Sequence, residues 1–377
     1  MSVISSHDPA VIGERLKDSR IAAGITQEAA ASKIGVGRTT LVAIEKGQRQ
    51  LKDLEFVNLC KLYSITPVAI LNPDNSADES FVRYRKVVAQ QNKSDEAQQA
   101  VDLLLSLAKG AHDLESTLGK TRHFAVTPSF PIIQRDLRVQ ADDAANLLRQ
   151  YLGLGVSPIS NIFSLLEIEL GMRIFSRKLP SGISGVYLKD DIYGHCILVN
   201  SDHYLPRRVF SVAHELGHAV SVPNHVDIFD YNAKESPREE RFANLFASFF
   251  LMPSNSVRKQ FDHYDTEGGF SGHNLIALAK SFNVSAEAMC RRLEDLKLLK
   301  QGTYESIKAR GFSPKATKLS EDDEFKMYLP YRTALLVAKA YDDGDYSEGQ
   351  LLEMFKLDRI EFRKVLDAIE YEGALNE

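Results

Sequence analysis

The sequence predicts a multidomain, mostly α-helical protein with an α+β centre, and three observations lead there. Apolar residues recur at helical spacing toward both ends of the chain. Strand-like runs occur in the middle, at about 172–176, 185–188 and 196–199. A polar stretch from about 72 to 95 (NPDNSADES, then AQQNKSDEAQQ) separates the first helices from the rest of the chain. A chain of 377 residues can hold two or three domains with their own cores. The expected limits are 9–71 for an N-terminal helical bundle, 72–124 for a linker and connecting helix, 125–265 for the mixed centre and 266–377 for a helical C-terminal region.

Composition narrows the class. The chain is 44% hydrophobic and 26% charged, as ordinary globular proteins are. A net charge of -5 argues against wholesale polyanion binding, so contact with nucleic acid needs a local basic surface. Cys60, Cys196 and Cys290 lie far apart and form no CxxC pair, which fits a reducing compartment. No apolar run reaches the roughly 18 residues that span a bilayer. The start, MSVISSHDPAV, lacks the features of a signal peptide. A cytoplasmic setting without a membrane partner is expected.

In the N-terminal bundle, apolar residues recur at Ile12, Leu16, Ile21 and Ala22, followed by a break at Gly24. Thr26 is placed to cap a second helix, Gln27 to Ile34, which stops at Gly35-Val36-Gly37. A third helix, about Arg38 to Glu45, ends at Gly47, a suitable left-handed cap. Further helices are expected from Leu54 to Tyr63 and after Pro67. The stretch from Ala97 to Leu118 reads as a connecting helix that either pairs chains or packs on the next domain.

In the centre, helices are expected at Ala141–Leu152 and Ile159–Leu170, before the strands. Two more come after them, about Arg207 to Val220 and Pro237 to Phe250. Beyond these, Ser285-Ala286-Glu287-Ala288 starts a small helical module, and Tyr331 to Tyr371 suggests another.

The segment RVFSVAHELGHAVSV carries the chemistry. His214 and His218 lie four residues apart, hence about one turn apart on one helix face, and can reach the same metal ion. Glu215 sits beside the first of them, where a carboxylate can act on metal-bound water without binding the ion. This is the logic of HExxH in zinc peptidases. A catalytic site needs a third protein ligand and an open position for water. A third histidine six residues after His218 would make a metzincin, but that position is Asn224, and Ser221 replaces the expected glycine. His225 is one residue out of register. The segment SPREERFANLFASFFLMP offers a carboxylate instead, from Glu239 or Glu240. Glu240, Ala243, Asn244 and Ala247 share one face, and the alanines would let two helices approach closely.

Taken together, [RF]-x-x-A-H-E-L-G-H and the later E-x-x-A-N-x-F-A pattern resemble the ImmA/IrrE family of metallopeptidases. Here the second part runs from Glu240 to Ala247 and closes at Leu251-Met252-Pro253; the match extends upstream through GISGVYL. Ser211 and Ser248 are small departures. The resemblance implies a zincin-like (gluzincin) domain. It also implies His214, His218 and Glu240 as ligands of Zn2+ (or Mn2+), and Glu215 as general base. Tyr187, His203 and His225 are weak options for an oxyanion donor.

The segment ITQEAAASKIGVGRTTLVAIEKGQR resembles the Xre/lambda-repressor-like helix-turn-helix family. That resemblance implies base-side contacts from Gln27, Arg38, Thr39 and Thr40, and phosphate contacts from Lys46, Arg49 and Lys52. Ala30, Ile34, Val36, Leu41 and Ile44 would form its core. It further implies a double-stranded DNA operator and a homodimer on two half-sites. The combined expectation is a transcriptional regulator that cleaves a protein substrate, such as a repressor or antitoxin-like protein. The alternative is a non-proteolytic transcription factor whose central domain senses metal or a small ligand.

Overall fold

Local signals set the first helices. The computed structural model describes residues 9–63, 95–120, 127–190, 192–221, 226–230, 238–264, 269–312 and 328–373. Helix α1 spans Pro9–Ala22, α2 Gln27–Lys33, α3 Arg38–Glu45 and α4 Asp53–Leu62. The Thr26 side chain accepts from the Ala29 amide, capping α2. Gly47 is left-handed, with φ of 67°, and a Cβ there would lie 2.4 Å from Ala10 Cα, so only glycine fits. Leu16, Ala30, Leu41, Ile44 and Leu59 fill the core, with Ile34 and Val36 packed at its margin.

Not every recurring apolar residue of α1 is buried. Ile21 is 51% exposed, and the buried stripe runs instead through Ile12, Leu16, Ser19 and Arg20. Ile21 comes nine residues after Ile12, which at 3.6 per turn puts it on the opposite side of the helix. The helix expected after Pro67 lies outside the described residues, as do Asn224 and His225.

By internal contacts the chain divides into residues 1–105 and 106–377, and the division falls within the long helix α5, Asp95–Thr117. In the second unit, α5 buries Leu107, Ala108, Ala111 and Leu114. Glu115 on this helix forms a buried ion pair with Arg173 at 2.7 Å.

The rest of that unit surrounds a small sheet. Helices α6 (Leu137–Tyr151) and α7 (Ile162–Leu170) precede β1 (Arg173–Arg177), β2 (Ile183–Asp190) and β3 (Gly194–Asn200). Helix α8 (Leu205–Ser221), β4 (Val226–Asp230) and α9 (Arg238–Leu251) come next. The strand order is β1-β3-β2-β4, with β1 parallel to β3 and β2 antiparallel to both its neighbours. The sequence reading did not include β4, whose five residues pair with β2. Helix α8 packs on β2 and β3, and α9 packs between α8 and α6.

The chain continues with α10 (Ser254–Tyr264), α11 (Gly272–Ser281), α12 (Ala286–Asp295) and α13 (Thr303–Ala309). Ser285 caps α12 by accepting from the Ala288 amide. The span from Tyr331 to Tyr371 contains three helices: α14 (Tyr331–Asp342), α15 (Glu348–Phe355) and α16 (Arg359–Gly373). Long-range polar contacts hold them. The Glu167 carboxylate accepts from the Tyr331 and Arg332 amides at 2.7 and 3.0 Å, capping α14 from α7. The buried Arg177 donates to the carbonyls of Tyr328 and Phe355. The described residues are thus mostly helical, with one four-stranded sheet in the second unit.

Candidate metal centre

Helix α8 lies deep in the second unit. Every residue from Ser211 to Ser221 is buried, so the helix is covered on all sides. His214, Glu215 and His218 have no exposed surface. Helix α9 meets α8 through small residues. A Cβ on Gly217 would lie 2.9 Å from Ala243 Cα, so the two backbones come nearly into contact there. That close approach carries the first turn of α9 to the two histidines.

The donor atoms form a compact triangle. His214 Nε2 and His218 Nε2 are 3.0 Å apart. Glu240 Oε2 lies 3.3 Å from His214 Nε2, and its Oε1 lies 3.6 Å from His218 Nε2. Among the described residues this trio is the one cluster of His, Cys, Asp or Glu suited to a metal, its ligand atoms all within 4.8 Å. Zinc–ligand bonds of about 2.0–2.1 Å in tetrahedral geometry would separate the donor atoms by about 3.3 Å. The nearest donor distances, 3.0, 3.3 and 3.6 Å, the last two through different oxygens of Glu240, bracket that value, so the donor set fits the ion. Glu239 is exposed, whereas Glu240 is half-buried and faces the histidines.

A fourth side chain joins them. Asn244 Oδ1 lies 3.1 Å from His214 Nδ1, one turn along α9 from Glu240. A carbonyl oxygen there accepts from Nδ1–H, which leaves the Nε2 lone pair for a metal. The sequence reading put Asn244 on the right face without giving it a task; its i+4 spacing from Glu240 was the available signal.

Tyr187 and His203 lie in buried surroundings of their own. Tyr187 is fully buried, its hydroxyl 2.7 Å from His195 Nδ1. Burial, with a smaller effect from Lys189, pushes His195 down to about 4, so it is neutral at pH 7. His203 is pushed to about 4 as well, chiefly by burial and then by Arg207.

In the first unit, Arg38 and Thr39 are exposed at the start of α3 and Thr40 is half-buried, while Leu41 and Ile44 point to the core. Lys46 and Lys52 are exposed. Two residues expected to reach DNA already have protein partners. Gln27 Nε2 donates to Glu45 Oε2 at 2.8 Å. Arg49 forms a two-point ion pair with Glu55, at 2.9 and 3.0 Å. Glu45, which the sequence reading left without a role, is buried and also takes two bonds from Arg20, at 2.5 and 3.1 Å.

A helix-turn-helix followed by a buried HExxH helix with a facing carboxylate defines a two-part class of protein, and comparison with known families agrees. Residues 11–70 match the family model of a helix-turn-helix domain. Residues 168–294 match that of the IrrE N-terminal-like domain, so the chain carries a peptidase-like domain of the ImmA/IrrE family. The first domain indicates DNA binding or transcription regulation, and the second belongs to a typically metal-dependent family. No curated protein matches the chain. One solved structure that does is the crystal structure of ComR from Streptococcus suis, at 9% identity over 98% of this chain and 96% of that one. Its TM-score is 0.16, too low to bear on the fold. No helix among the described residues is long and apolar enough to cross a membrane.

Proposed function

We propose that this chain is a cytoplasmic transcriptional regulator that couples operator binding to zinc-dependent endopeptidase activity. Its substrate would be a repressor or antitoxin-like protein. The observation that carries the reading is the convergence of His214, His218 and Glu240, with nearest donor contacts of 3.0–3.6 Å and Glu215 buried beside them. Residues 125–265 would form the zincin-like domain and 9–71 the DNA-binding domain, joined through 72–124; 266–377 would be the helical C-terminal region.

In this mechanism His214, His218 and Glu240 hold the ion. When bound, zinc supplies a Lewis acid for the scissile carbonyl and makes water acidic enough to attack near neutral pH. Asn244 orients the His214 ring through Nδ1–H. Glu215 takes the proton of the attacking water on a carboxylate oxygen and passes it to the leaving amine nitrogen. Mn2+ would suit the same donors, and metal analysis of the purified protein distinguishes the two.

For DNA, Arg38, Thr39 and Thr40 would read bases from the exposed start of α3, with Lys46 on phosphate. Gln27 and Arg49 would reach DNA only by sharing or leaving Glu45 and Glu55. Two half-sites would require a homodimer.

The test is cleavage of candidate repressors with zinc or manganese by the parent and by Glu215→Gln. The parent is expected to cleave and the variant to lose activity by at least about 100-fold. Equal cleavage by both overturns the role of Glu215. Cleavage by neither, with operator affinity that shifts with metal, favours the non-proteolytic sensor.

A further inference from the structure

The strand under the metal helix carries an irregularity at one point. Along β2 and β4, Ile183 pairs with Asp230 and Gly185 with Phe229. Two steps on β2 thus match one step on β4, and Ser184 is the extra residue of a β-bulge. Ser184 is buried, and its Oγ accepts from Arg207 Nη2 at 3.1 Å. Arg207 belongs to α8, eight residues before Glu215 and so about 12 Å back along the helix. The bulge is therefore tied to the same helix that carries the HELGH residues.

Gly185, next to the bulge, meets Glu215. A Cβ at Gly185 would lie 2.8 Å from Glu215 Oε1, and 3.4 Å from both Cδ and Cγ. The backbone of Gly185 is outside the left-handed region, so its conformation alone does not require glycine. What a side chain there would meet is the Glu215 carboxylate, one of the two having to give way. Glycine inside a strand otherwise weakens it, through lost entropy and lost packing.

We propose that the Ser184–Gly185 bulge, anchored by Arg207, is the seat of the Glu215 carboxylate, which makes Gly185 and Arg207 positioning residues for the general base. The inference rests on Glu215 having that role. The ligands come from α8 and α9, whereas β2 bounds the space open to the base. Position 185 therefore controls the base separately from the metal.

A thermal-stability cycle on the full-length, metal-free chain tests this without a substrate. Beside native Glu215, Gly185→Ala is expected to lower the melting temperature by roughly 3–8 °C, because the new methyl overlaps the carboxylate. In a Glu215→Ala background the same change is expected to raise it by about 1–3 °C, because only the strand preference for alanine remains. Titration with zinc should give the same affinity for Gly185→Ala and parent within about 3-fold, since no ligand moves. On any substrate the parent cleaves, kcat should fall by at least about 10-fold with KM unchanged. An equal loss of stability in both backgrounds overturns the proposal, since the glycine would then serve the backbone alone. Loss of zinc affinity in Gly185→Ala overturns it too. The sign reversal does not depend on catalysis, so failure of the peptidase reading appears separately, as cleavage that Glu215→Gln retains.

Discussion

Both units bury charged or ionisable side chains, but in opposite arrangements. In the first unit Arg20 and Gln27 both donate to Glu45, and the guanidinium and carboxylate neutralise each other. The hydrogen bond with Glu45 outweighs desolvation and raises the Arg20 pKa. In the second unit, two imidazole nitrogens and a carboxylate point at a common centre. At most one proton fits between two ring nitrogens 3.0 Å apart, and all three groups are electron-pair donors. A closed donor–acceptor network holds helices together by itself, whereas convergent lone pairs are better matched by a cation.

Removing one member should therefore affect the two sites differently, and the largest effect is expected at the centre. His214→Ala and Glu240→Ala should each lose bound metal, with affinity down by more than about 100-fold, beyond the effect of losing a residue that only orients a ligand. The protein should still fold, and metal analysis with circular dichroism reads both properties. Full occupancy in Glu240→Ala, with loss in Glu239→Ala, would shift the ligand by one residue.

A change in the closed network should instead lower stability. Arg20→Met strands the buried Glu45 carboxylate and is expected to destabilise the first unit by about 3–5 kcal/mol, without changing metal content. Denaturant unfolding monitored on residues 9–63 checks this. A cost under about 1 kcal/mol would mean that the network is as soft as a surface pair.

The smallest effects belong to exposed residues of the first unit. Arg38→Ala should weaken binding to the protein's own promoter by about 1–3 kcal/mol, with little change in stability. Arg49→Ala should act in reverse order, with more effect on folding than on DNA, because its guanidinium is already paired with Glu55. Equal loss of DNA affinity in both variants would show that Arg49 leaves Glu55 on binding.

Much of the local structure was readable from the residues. The bounds of α3 and the Thr26 cap arise from interactions within a few residues, whereas Gly47, legible as a left-handed stop, also meets Ala10 from the start of α1. Other features depend on partners far along the chain. The Ser184 bulge exists only against β4, and the cap on α14 comes from Glu167, more than 160 residues earlier. The burial of Arg20 depends on Glu45, a charge that a hydrophobic pattern does not register.

The sequence by itself determined that His214 and His218 share a helix face with Glu215 beside them, because i, i+4 spacing is a property of the helix alone. The residues alone left Glu239 and Glu240 both open as a third donor. Which one turns toward the histidines depends on the rotation of α9 about its axis, and the contact of Gly217 with Ala243 fixes that rotation. The seat of Glu215 against Gly185 was likewise decided only when the sheet and α8 came together.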